Sequence, residues 1–182
     1  GPCHPMQPPS QPVVSHALSI KRWGRELGFQ KVGIAGVDLA EDEHRLAAWL
    51  AQGRHGTMEY MERHGTLRTR PAELIPGTIR VVSARMDYRA ETTDPETVLQ
   101  DPLLGYVSRY ALGRDYHKVL RHRLAQLAGR IAAATGTAGF RAFTDSAPVL
   151  EKALARDAGL GWIGKHTNLL DRQDGSWFFL GE

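Results

Sequence analysis

Residues 139–170 are the most informative part of this chain and read GFRAFTDSAPVLEKALARDAGLGWIGKHTNLL. The stretch begins like a strand, breaks at the polar turn TDS (144–146), and continues after Pro148 into a short amphipathic helix. Two glycine breaks around Trp162 then lead to the polar run KHTN (165–168). One carboxylate therefore stands where a strand gives way to a helix. Ligands of α/β proteins usually bind at the ends of strands, so this stretch is a candidate site.

The hydrophobic pattern predicts helices and strands that alternate along the chain. The clearest helix has Leu120, Leu124 and Leu127 on one stripe, and the clearest strand starts with β-branched residues at 79–86. We predict helices over 15–28, 41–52, 58–63, 117–134 and after Pro148. Strands are predicted over 31–36, 79–86, 140–144 and 176–180. Residues 91–103 are predicted to form a loop, and residues 106–110 a short strand or an ordered loop. This alternation predicts an α/β (α+β) domain with a mixed central sheet and flanking helices.

Length and composition indicate one globular domain. With 182 residues, 42% of them apolar, the chain can bury a core. No apolar run could cross a bilayer and no signal peptide is evident, so we expect a cytoplasmic protein without a membrane partner. The proline-rich residues 1–14, beginning with Gly1-Pro2, are predicted to be a tag remnant and flexible N-terminus that precede a domain at 15–182. The net charge of +3 permits a nucleic-acid partner without arguing for one.

The chain has a single cysteine, Cys3. One thiol excludes an internal disulfide and suits a cytoplasmic protein. An iron–sulfur cubane needs about four cysteine ligands, so we expect this chain to hold neither a cluster nor any other metal by its own side chains. The glycine-rich, HExxH and CxxC patterns of common nucleotide and metal sites are also missing from the sequence.

Four segments, in this order, resemble epoxyqueuosine reductase, the cobalamin-dependent enzyme of tRNA queuosine synthesis. They are residues 60–76, SRYALGRDYHKVLRHRL at 108–124, FTDSAPVLEKALA at 143–155 and GLGWIGKHTNLL at 159–170. The resemblance covers roughly residues 15–182. It implies a nitroreductase-like cobalamin-binding catalytic domain that is truncated before the family's ferredoxin-like part.

The resemblance also implies an activity for the full-length protein. That activity is an oxidoreductase reaction, the cobalamin-dependent reduction of epoxyqueuosine to queuosine in tRNA, as the last step of queuosine synthesis. Two 4Fe–4S clusters in the absent part would relay electrons from an external flavodoxin- or ferredoxin-type donor, and the protein would be a monomer. The fragment alone is expected to be inactive with such a donor. Two other interpretations stay open: a reductive dehalogenase-like enzyme and a non-catalytic cobalamin-binding or trafficking module.

Asp145 is the candidate catalytic residue. An aspartate before a proline-initiated helix is commonly an N-cap or Asx-turn residue, and that structural role is the alternative. The resemblance implies instead that Asp145, the aspartate of TDSAP, is the proton donor. Removing an epoxide oxygen requires a proton as the C–O bond breaks, and a carboxylic acid supplies one near neutral pH when burial raises its pKa.

The resemblance further implies which residues surround the cofactor and which meet the tRNA. Ser108, Tyr110 and His117 are expected to line the pocket together with Asp145, although a histidine that opens a helix is by itself more often a surface or capping residue. Polar contacts to the amides of the corrin, each with a solvated side chain as the alternative, are expected from Arg68, Arg141, Lys165, His166 and Asn168. No protein ligand to cobalt is expected. Candidates for contact with the tRNA backbone, again with a solvated surface as the alternative, are Arg85, Arg114, Arg121, His122 and Arg123.

Overall fold

The computed structural model describes residues 16–88, 93–137, 139–145 and 147–182. Its helices are α1 (His16–Glu26), α2 (Ala40–Ala51), α3 (Tyr60–Arg63), α4 (Pro71–Leu74), α5 (Pro95–Gln100), α6 (Tyr116–Thr135) and α7 (Glu151–Asp157). Its strands are β1 (Lys31–Ala35), β2 (Val81–Asp87), β3 (Trp162–Ile163), β4 (Leu169–Leu170) and β5 (Phe178–Gly181), and short 3-10 helices cover Gly65–Arg68 and Arg109–Ala111. Among the residues in these ranges, none of the helices is both long and apolar enough to cross a membrane. The predicted flexible tail at 1–14 and Ser146 of the polar turn lie outside the described residues.

The centre of the fold is a three-stranded sheet in the order β1-β2-β5. Both pairings are antiparallel, with Val32 opposite Ala84 and Ala84 opposite Gly181. The predicted layers of helices around one sheet are confirmed. Where a mixed sheet was expected, however, the described strands of this sheet all run antiparallel. Periodicity within one strand reports which faces are buried, and it carries no information about the direction of the neighbouring strand.

Helices cover both faces of this sheet, and the alternation of side chains along each strand divides the core in two. On one face, Val32 and Ala84 cluster with Leu124 of α6, and α1 completes the packing. On the other face, Ala35 clusters with Leu154 of α7. Successive residues of a strand point to opposite faces. Apolar burial on both faces, worth roughly 25 cal/mol per Å², therefore fixes the register.

Two short elements were not predicted from the sequence. Within the predicted loop 91–103, the described residues contain helix α5, because the Asp94 side chain accepts a hydrogen bond from the Thr97 backbone N–H at 3.2 Å and Pro95 occupies the first turn. Strands β3 and β4 form a separate antiparallel hairpin. Residues 106–110, left open between a strand and a loop, end in a turn of 3-10 helix.

The strand predicted at 140–144 is only partly formed. Phe143 pairs with the last residue of the chain: its N–H donates to the Glu182 carbonyl at 2.7 Å, and the Glu182 N–H donates back at 3.2 Å. The residues before Phe143 have a strand-like sequence but no strand assignment. A strand forms where a partner supplies the hydrogen bonds of its backbone, and here a partner exists only at Phe143.

Candidate active site

The first turn of α6 presents a tyrosine and a histidine side by side. Asp115 caps this helix by accepting a hydrogen bond from the His117 backbone N–H at 3.1 Å. The same carboxylate oxygen lies 3.3 Å from His117 Nδ1 and so orients the imidazole. The Tyr116 and His117 rings stack with centroids 3.9 Å apart. Because a cap and a stack both restrain it, this turn forms a fixed platform.

Asp145 projects from the opposite loop onto this platform. Its carboxylate oxygen Oδ2 accepts a hydrogen bond from the Tyr116 hydroxyl at 2.7 Å and lies 3.3 Å from His117 Nε2. The backbone of Asp145 is left-handed, with φ of 54°. Aspartate adopts this conformation more readily than most residues do, but it still stores strain there. The carboxylate of Asp145 is thus held in place by two side chains that come from another element.

Tyr116 acts as a permanent donor in this arrangement. Burial raises the pKa of its hydroxyl, and the hydrogen bond to Asp145 raises that pKa further. A phenol in such surroundings stays protonated across the physiological range. The proton of Tyr116 therefore anchors the Asp145 carboxylate.

Two further acids lie close to Asp145, and we call the three carboxyl groups of Asp145, Glu151 and Glu182 the Asp145 cluster. Burial raises the pKa of Glu151, and repulsion from Asp145 adds to the effect. Burial likewise raises the pKa of Glu182 to about 8, with repulsion from Glu151 and Asp145 acting in the same direction. Glu182 Oε1 is buried without a hydrogen-bond partner among the described residues. The carboxyl group of Glu182 therefore retains its proton at neutral pH.

An aromatic surface extends away from Asp145. Tyr116 stacks on Phe179 at 3.8 Å with the rings parallel, Phe179 contacts Tyr88 at 4.5 Å, and Tyr88 meets Trp177 edge-on at 6.2 Å. Trp177 is 41% exposed, so the outer end of this row is open to solvent. Further exposed apolar side chains stand on the segment before α6, namely Leu103, Leu104, Tyr106, Val107, Tyr110 and Leu112. The polar site therefore adjoins a large apolar surface.

Two other predicted site residues connect to the segment that carries Asp145. The Arg68 carbonyl accepts a hydrogen bond from the Leu150 N–H at 3.1 Å, and Arg68 Nε is buried without a hydrogen-bond partner among the described residues. The Asn168 side chain lies 3.3 Å from Lys152 Nζ, in the first turn of α7. Both contacts bring residues that are far apart in sequence to the start of α7.

The remaining predicted site residues are placed elsewhere or at the margin. Tyr110 lies on the 3-10 helix before α6, close enough that its charge acts on Tyr116, and Ser108 is exposed just before that helix. Lys165 and His166 are exposed at the turn of the β3–β4 hairpin. Arg141 stacks over the Phe143 ring at 5.0 Å and lines an apolar cavity that Glu182 of the Asp145 cluster also lines.

Arg85 was a candidate for contact with tRNA, and the structure contradicts that prediction. The residue is 4% exposed. Its guanidinium pairs with Asp87 at 3.0 Å and with Asp174 at 2.6 Å. The sequence does not show that position 85 faces the covered side of β2, where an arginine is buried only when it is ion-paired.

Sequence reasoning did not assign roles to Tyr116, Asp115, Glu151 or Glu182. Tyr116 and Asp115 flank His117, and a capping aspartate next to an aromatic residue at a helix start was a usable signal. Glu151 and Glu182 gave no such signal, because their proximity to Asp145 depends on the packing of α7 and β5 against the sheet. Within the residues that the structure describes, no group of three or more His, Cys, Asp or Glu side chains is arranged to hold a metal ion.

Comparisons with known proteins show which family this chain resembles in sequence and fold. Residues 68–146 match the family described as "Epoxyqueuosine reductase QueG, DUF1730". An epoxyqueuosine reductase of Pseudomonas aeruginosa is 64% identical over 166 residues, which are 91% of this chain and 46% of that protein. The structure of epoxyqueuosine reductase from Streptococcus thermophilus has 25% identity and a TM-score of 0.75, over 90% of this chain and 44% of that one.

A third comparison concerns a crystal structure of an epoxyqueuosine reductase with an epoxyqueuosine-modified tRNA stem loop. It is 21% identical to this chain with a TM-score of 0.68, over 90% of this chain and 43% of its own length, so it shows the likeness of the fold. The chain spans about half the length of the curated relatives it matches. Residues 68–146 thus match the epoxyqueuosine reductase family model, and 91% of the chain is similar to an epoxyqueuosine reductase of which it spans 46%.

Proposed function

We propose that this chain is the acid-bearing catalytic segment of an enzyme that reduces epoxyqueuosine to queuosine in tRNA. The observation that carries the proposal is the Asp145 carboxylate, held by Tyr116 at 2.7 Å and His117 at 3.3 Å beside an exposed apolar surface. The relatives that match most of the chain carry the name of this activity. A structural neighbour with a modified tRNA stem loop supports tRNA as the substrate.

The reaction defines what the protein must supply. Converting an epoxide to an alkene consumes two electrons and two protons, breaks both C–O bonds and releases the oxygen as water. The oxygen becomes a much stronger base as each C–O bond breaks, so an acid placed beside it lowers the barrier. Asp145 is the acid in this proposal, and it transfers its proton to the epoxide oxygen.

In this proposal the residues around Asp145 supply the second of the two protons that the reaction consumes. His117 Nε2 lies at hydrogen-bonding range of the same carboxylate oxygen and can return a proton to it, while Asp115 steadies the opposite ring nitrogen at 3.3 Å. Burial raises the pKa of Glu151 and raises that of Glu182 to about 8. The Asp145 cluster therefore contains a carboxyl group, that of Glu182, which keeps its proton at neutral pH.

The proposed cofactor is cobalamin, and the described residues fit its chemistry. A corrin is a broad apolar disc edged with amides, so its site needs an apolar floor and scattered polar groups. Tyr110 is 54% exposed next to Tyr116, and the buried Arg68 Nε lacks a partner among the described residues. We propose that Tyr110, Ser108 and His117 face the corrin, with polar contacts from Arg68, Lys165, His166 and Asn168. Bound in its reduced state, the cofactor supplies the electrons.

The proposal also covers the rest of the longer protein. The iron–sulfur clusters would belong to the rest of the longer protein, because this chain contains one cysteine. An external flavodoxin- or ferredoxin-type donor would pass electrons to those clusters. In this proposal residues 15–182 form the cofactor-binding domain and the enzyme works in the cytoplasm. Arg141, whose guanidinium stacks over the Phe143 ring, remains a proposed polar contact to the cofactor.

The test uses the full-length protein that carries this segment, expressed in a bacterium whose own epoxyqueuosine reductase gene is deleted. We expect the parent to convert tRNA epoxyqueuosine to queuosine, and Asp145→Ala to keep bound cobalamin while turnover falls at least about 100-fold. Asp157→Ala is the matched control, since this exposed aspartate sits at the end of α7 and pairs only with the adjacent Arg156. Persistent epoxyqueuosine with the parent protein would refute the activity, and unchanged turnover in Asp145→Ala would remove Asp145 from the mechanism.

A further inference from the structure

The stretch of chain between two aspartates of the candidate site contains no acid. Residues 116–144, which lie between Asp115 and Asp145, include five lysines and arginines and two histidines but neither aspartate nor glutamate. Helix α6 provides twenty of these residues. The surfaces of soluble domains usually intersperse both signs of charge. Helix α6 therefore has an unusual charge of one sign, and its cations require an explanation.

Two of the arginines on α6 have structural roles. Arg123 Nη1 donates a hydrogen bond to the Gly28 carbonyl at 3.1 Å and contacts the Met86 sulfur at 3.3 Å. Arg130 pairs with Glu26 at 2.6 Å. Both contacts join α6 to α1 or to the sheet. Arg123, a candidate for contact with tRNA from the sequence, is thus turned inward and is not available to a partner.

The other polar side chains of α6 with a charge or a proton to offer point to solvent. Lys118, Arg121 and His122 are exposed, and their spacing of three and four residues places them on one face of the helix. We call these three residues the α6 outer face. Among the described residues, the ion pairs made by α6 involve His117 and Arg130 and no member of the outer face. The cations of this face are therefore available to an anionic partner.

The α6 outer face starts beside the candidate active site. His117 Nε2 lies 3.3 Å from the Asp145 carboxylate. Arg121 follows His117 by four residues, so the two side chains are neighbours on the helix, one turn of about 5.4 Å apart. The nearest acid on the helix side, Asp115, already accepts from the His117 backbone N–H and contacts its ring. An anionic chain that reaches Asp145 can therefore extend along α6 without meeting an unpaired acid of that helix.

We propose that the α6 outer face binds the backbone phosphates of the RNA loop whose reacting nucleotide is presented to Asp145. The inference rests on the proposed function, which supplies the nature of the substrate. Lys118 and Arg121 contribute positive charge, and His122 contributes a ring N–H donor. Phosphate contacts fix the position of a nucleic acid and carry no sequence information. The role of this face is therefore to set the position of the loop relative to Asp145.

The helix fits an RNA backbone better than it fits an anionic membrane surface. A helix that lies on a membrane inserts large apolar side chains beside its cations. The apolar side of α6 is instead buried in the core through Leu120, Leu124 and Leu127. The exposed positions 125, 126 and 129, which follow the outer face, are alanine, glutamine and glycine. Cations without apolar neighbours are suited to phosphates that remain in water.

The experiment measures binding of a fluorescently labelled, epoxyqueuosine-containing tRNA to the full-length protein by anisotropy at several salt concentrations. The test protein carries Lys118→Gln and Arg121→Gln together. Each contact between a cation and a single-stranded phosphate contributes about 0.7 to the slope of log affinity against log salt. We therefore expect the double variant to lose about 1.4 from this slope, and its Kd at physiological salt to rise at least about fivefold.

Two control proteins separate the position of the charge from its amount. Arg45→Gln with Arg54→Gln removes the same charge from two exposed arginines of α2 and the turn after it. Helix α2 lies on the α7 side of the sheet, away from α6, so Kd and slope should stay at the parent values. Lys118→Arg with Arg121→Lys keeps the charge of the outer face and should keep the slope. In all variants kcat at saturating tRNA should stay within about twofold, since binding lost equally in ground and transition states changes KM.

Three outcomes would overturn the inference. The first is an unchanged Kd and slope in the Lys118→Gln, Arg121→Gln protein, and the second is an equal loss in the α2 control, which would reflect net charge alone. The third is binding to phosphatidylglycerol vesicles that the double variant loses while its tRNA binding is unchanged. The binding assay needs no turnover. A parent protein that binds tRNA through the outer face but leaves epoxyqueuosine unreduced would therefore refute the proposed function and support this surface.

Discussion

Two groups of three carboxyl groups lie near the central three-stranded sheet, and they differ in the side chains that surround them. In the Arg85 cluster, Asp87, Asp171 and Asp174 surround the buried guanidinium of Arg85 at 3.0, 3.3 and 2.6 Å. Lys31 adds a second cation, 3.4 Å from Asp171. In the Asp145 cluster, the described contacts of Asp145 itself are a phenol and an imidazole, and no arginine is among them.

The difference between the two clusters is a permanent cation. An arginine is always protonated, so Arg85 attracts the acids around it and links β2 to the turn after β4. Although burial opposes it, the pKa of Asp171 is lowered by the backbone N–H groups of Gln173 and Asp174 and by Arg85, whereas burial raises the pKa of Asp87 against the attraction of Arg85. The pKa values of Glu151 and Glu182 are raised by burial and by repulsion from Asp145. A raised pKa in a carboxyl group that is not paired with arginine is typical of a proton-transfer site.

The largest expected effect comes from removing the cation of the Arg85 cluster. Arg85→Met keeps much of the side-chain volume but leaves three carboxylates together in a covered site. Breaking a buried ion pair by removing one partner typically costs about 3–5 kcal/mol. We therefore expect the free energy of unfolding in urea to fall by about that amount.

Arg130→Met provides the comparison for this variant. Arg130 pairs with Glu26 at 2.6 Å, but its side chain is 42% exposed. An exposed pair contributes about 0–1 kcal/mol. Equal losses for the two variants would show that the Arg85 cluster does not behave as a buried network.

The next effect concerns the pH dependence of stability. Burial raises the pKa of Glu182 from an ordinary value of 4.5 to about 8 in the folded chain. The folded state then binds more protons than the unfolded state between these values. The stabilisation is fully present below about pH 4.5 and is lost as the pH rises through about 8. One pKa unit corresponds to about 1.4 kcal/mol, so the decline in the free energy of unfolding over this interval is measurable by urea unfolding at several pH values.

Glu182→Gln should flatten this decline because an amide does not titrate. Glu73→Gln is the control: hydrogen bonds from Thr66 and Arg70 lower the pKa of this exposed acid, so its removal leaves the decline between pH 4.5 and 8 in place. A decline of the same size in Glu182→Gln would mean that the carboxyl of Glu182 ionises normally.

The sequence predicted the parts of the fold that depend on local pattern. The apolar stripe of α6 and the β-branched start of β2 were sufficient to predict a helix and a strand in nearly the observed bounds. The direction of the strands and the incomplete pairing of residues 140–144 could not be predicted, because both depend on a partner that is distant in sequence. The helix that starts at Pro95 was missed although Asp94 is a good capping residue.

The same distinction applies to the candidate site: residues in local motifs could be selected from the sequence, and contacts created by packing could not. Asp145 and His117 were selected through motifs, and the structure brings their side chains to 3.3 Å. The partnership of Tyr116 with Asp145 spans 29 positions and is created by packing of the α6 start against the loop before α7. No local pattern contains that contact. The same holds for Arg85, whose burial depends on the acids of residues 171 and 174.

The smallest expected effect tests whether Tyr116 positions Asp145. Tyr116→Phe removes the hydroxyl that donates to Asp145 at 2.7 Å and keeps the ring stacked on Phe179. A single hydrogen bond is worth about 0.5–1.5 kcal/mol, and this one is partly exposed, so stability should fall by the lower part of that range. The left-handed backbone of Asp145 would lose one of its two restraints, and the amides of Thr144 and Asp145 should exchange faster with solvent. In the full-length protein turnover should drop roughly fivefold, the equivalent of about 1 kcal/mol.

Tyr88→Phe is the matched control, because Tyr88 packs on the same Phe179 ring at 4.5 Å and does not contact Asp145. If both variants lose turnover equally, the aromatic row acts only through packing; if Tyr116→Phe alone does, the hydroxyl holds the acid of the Asp145 cluster in place.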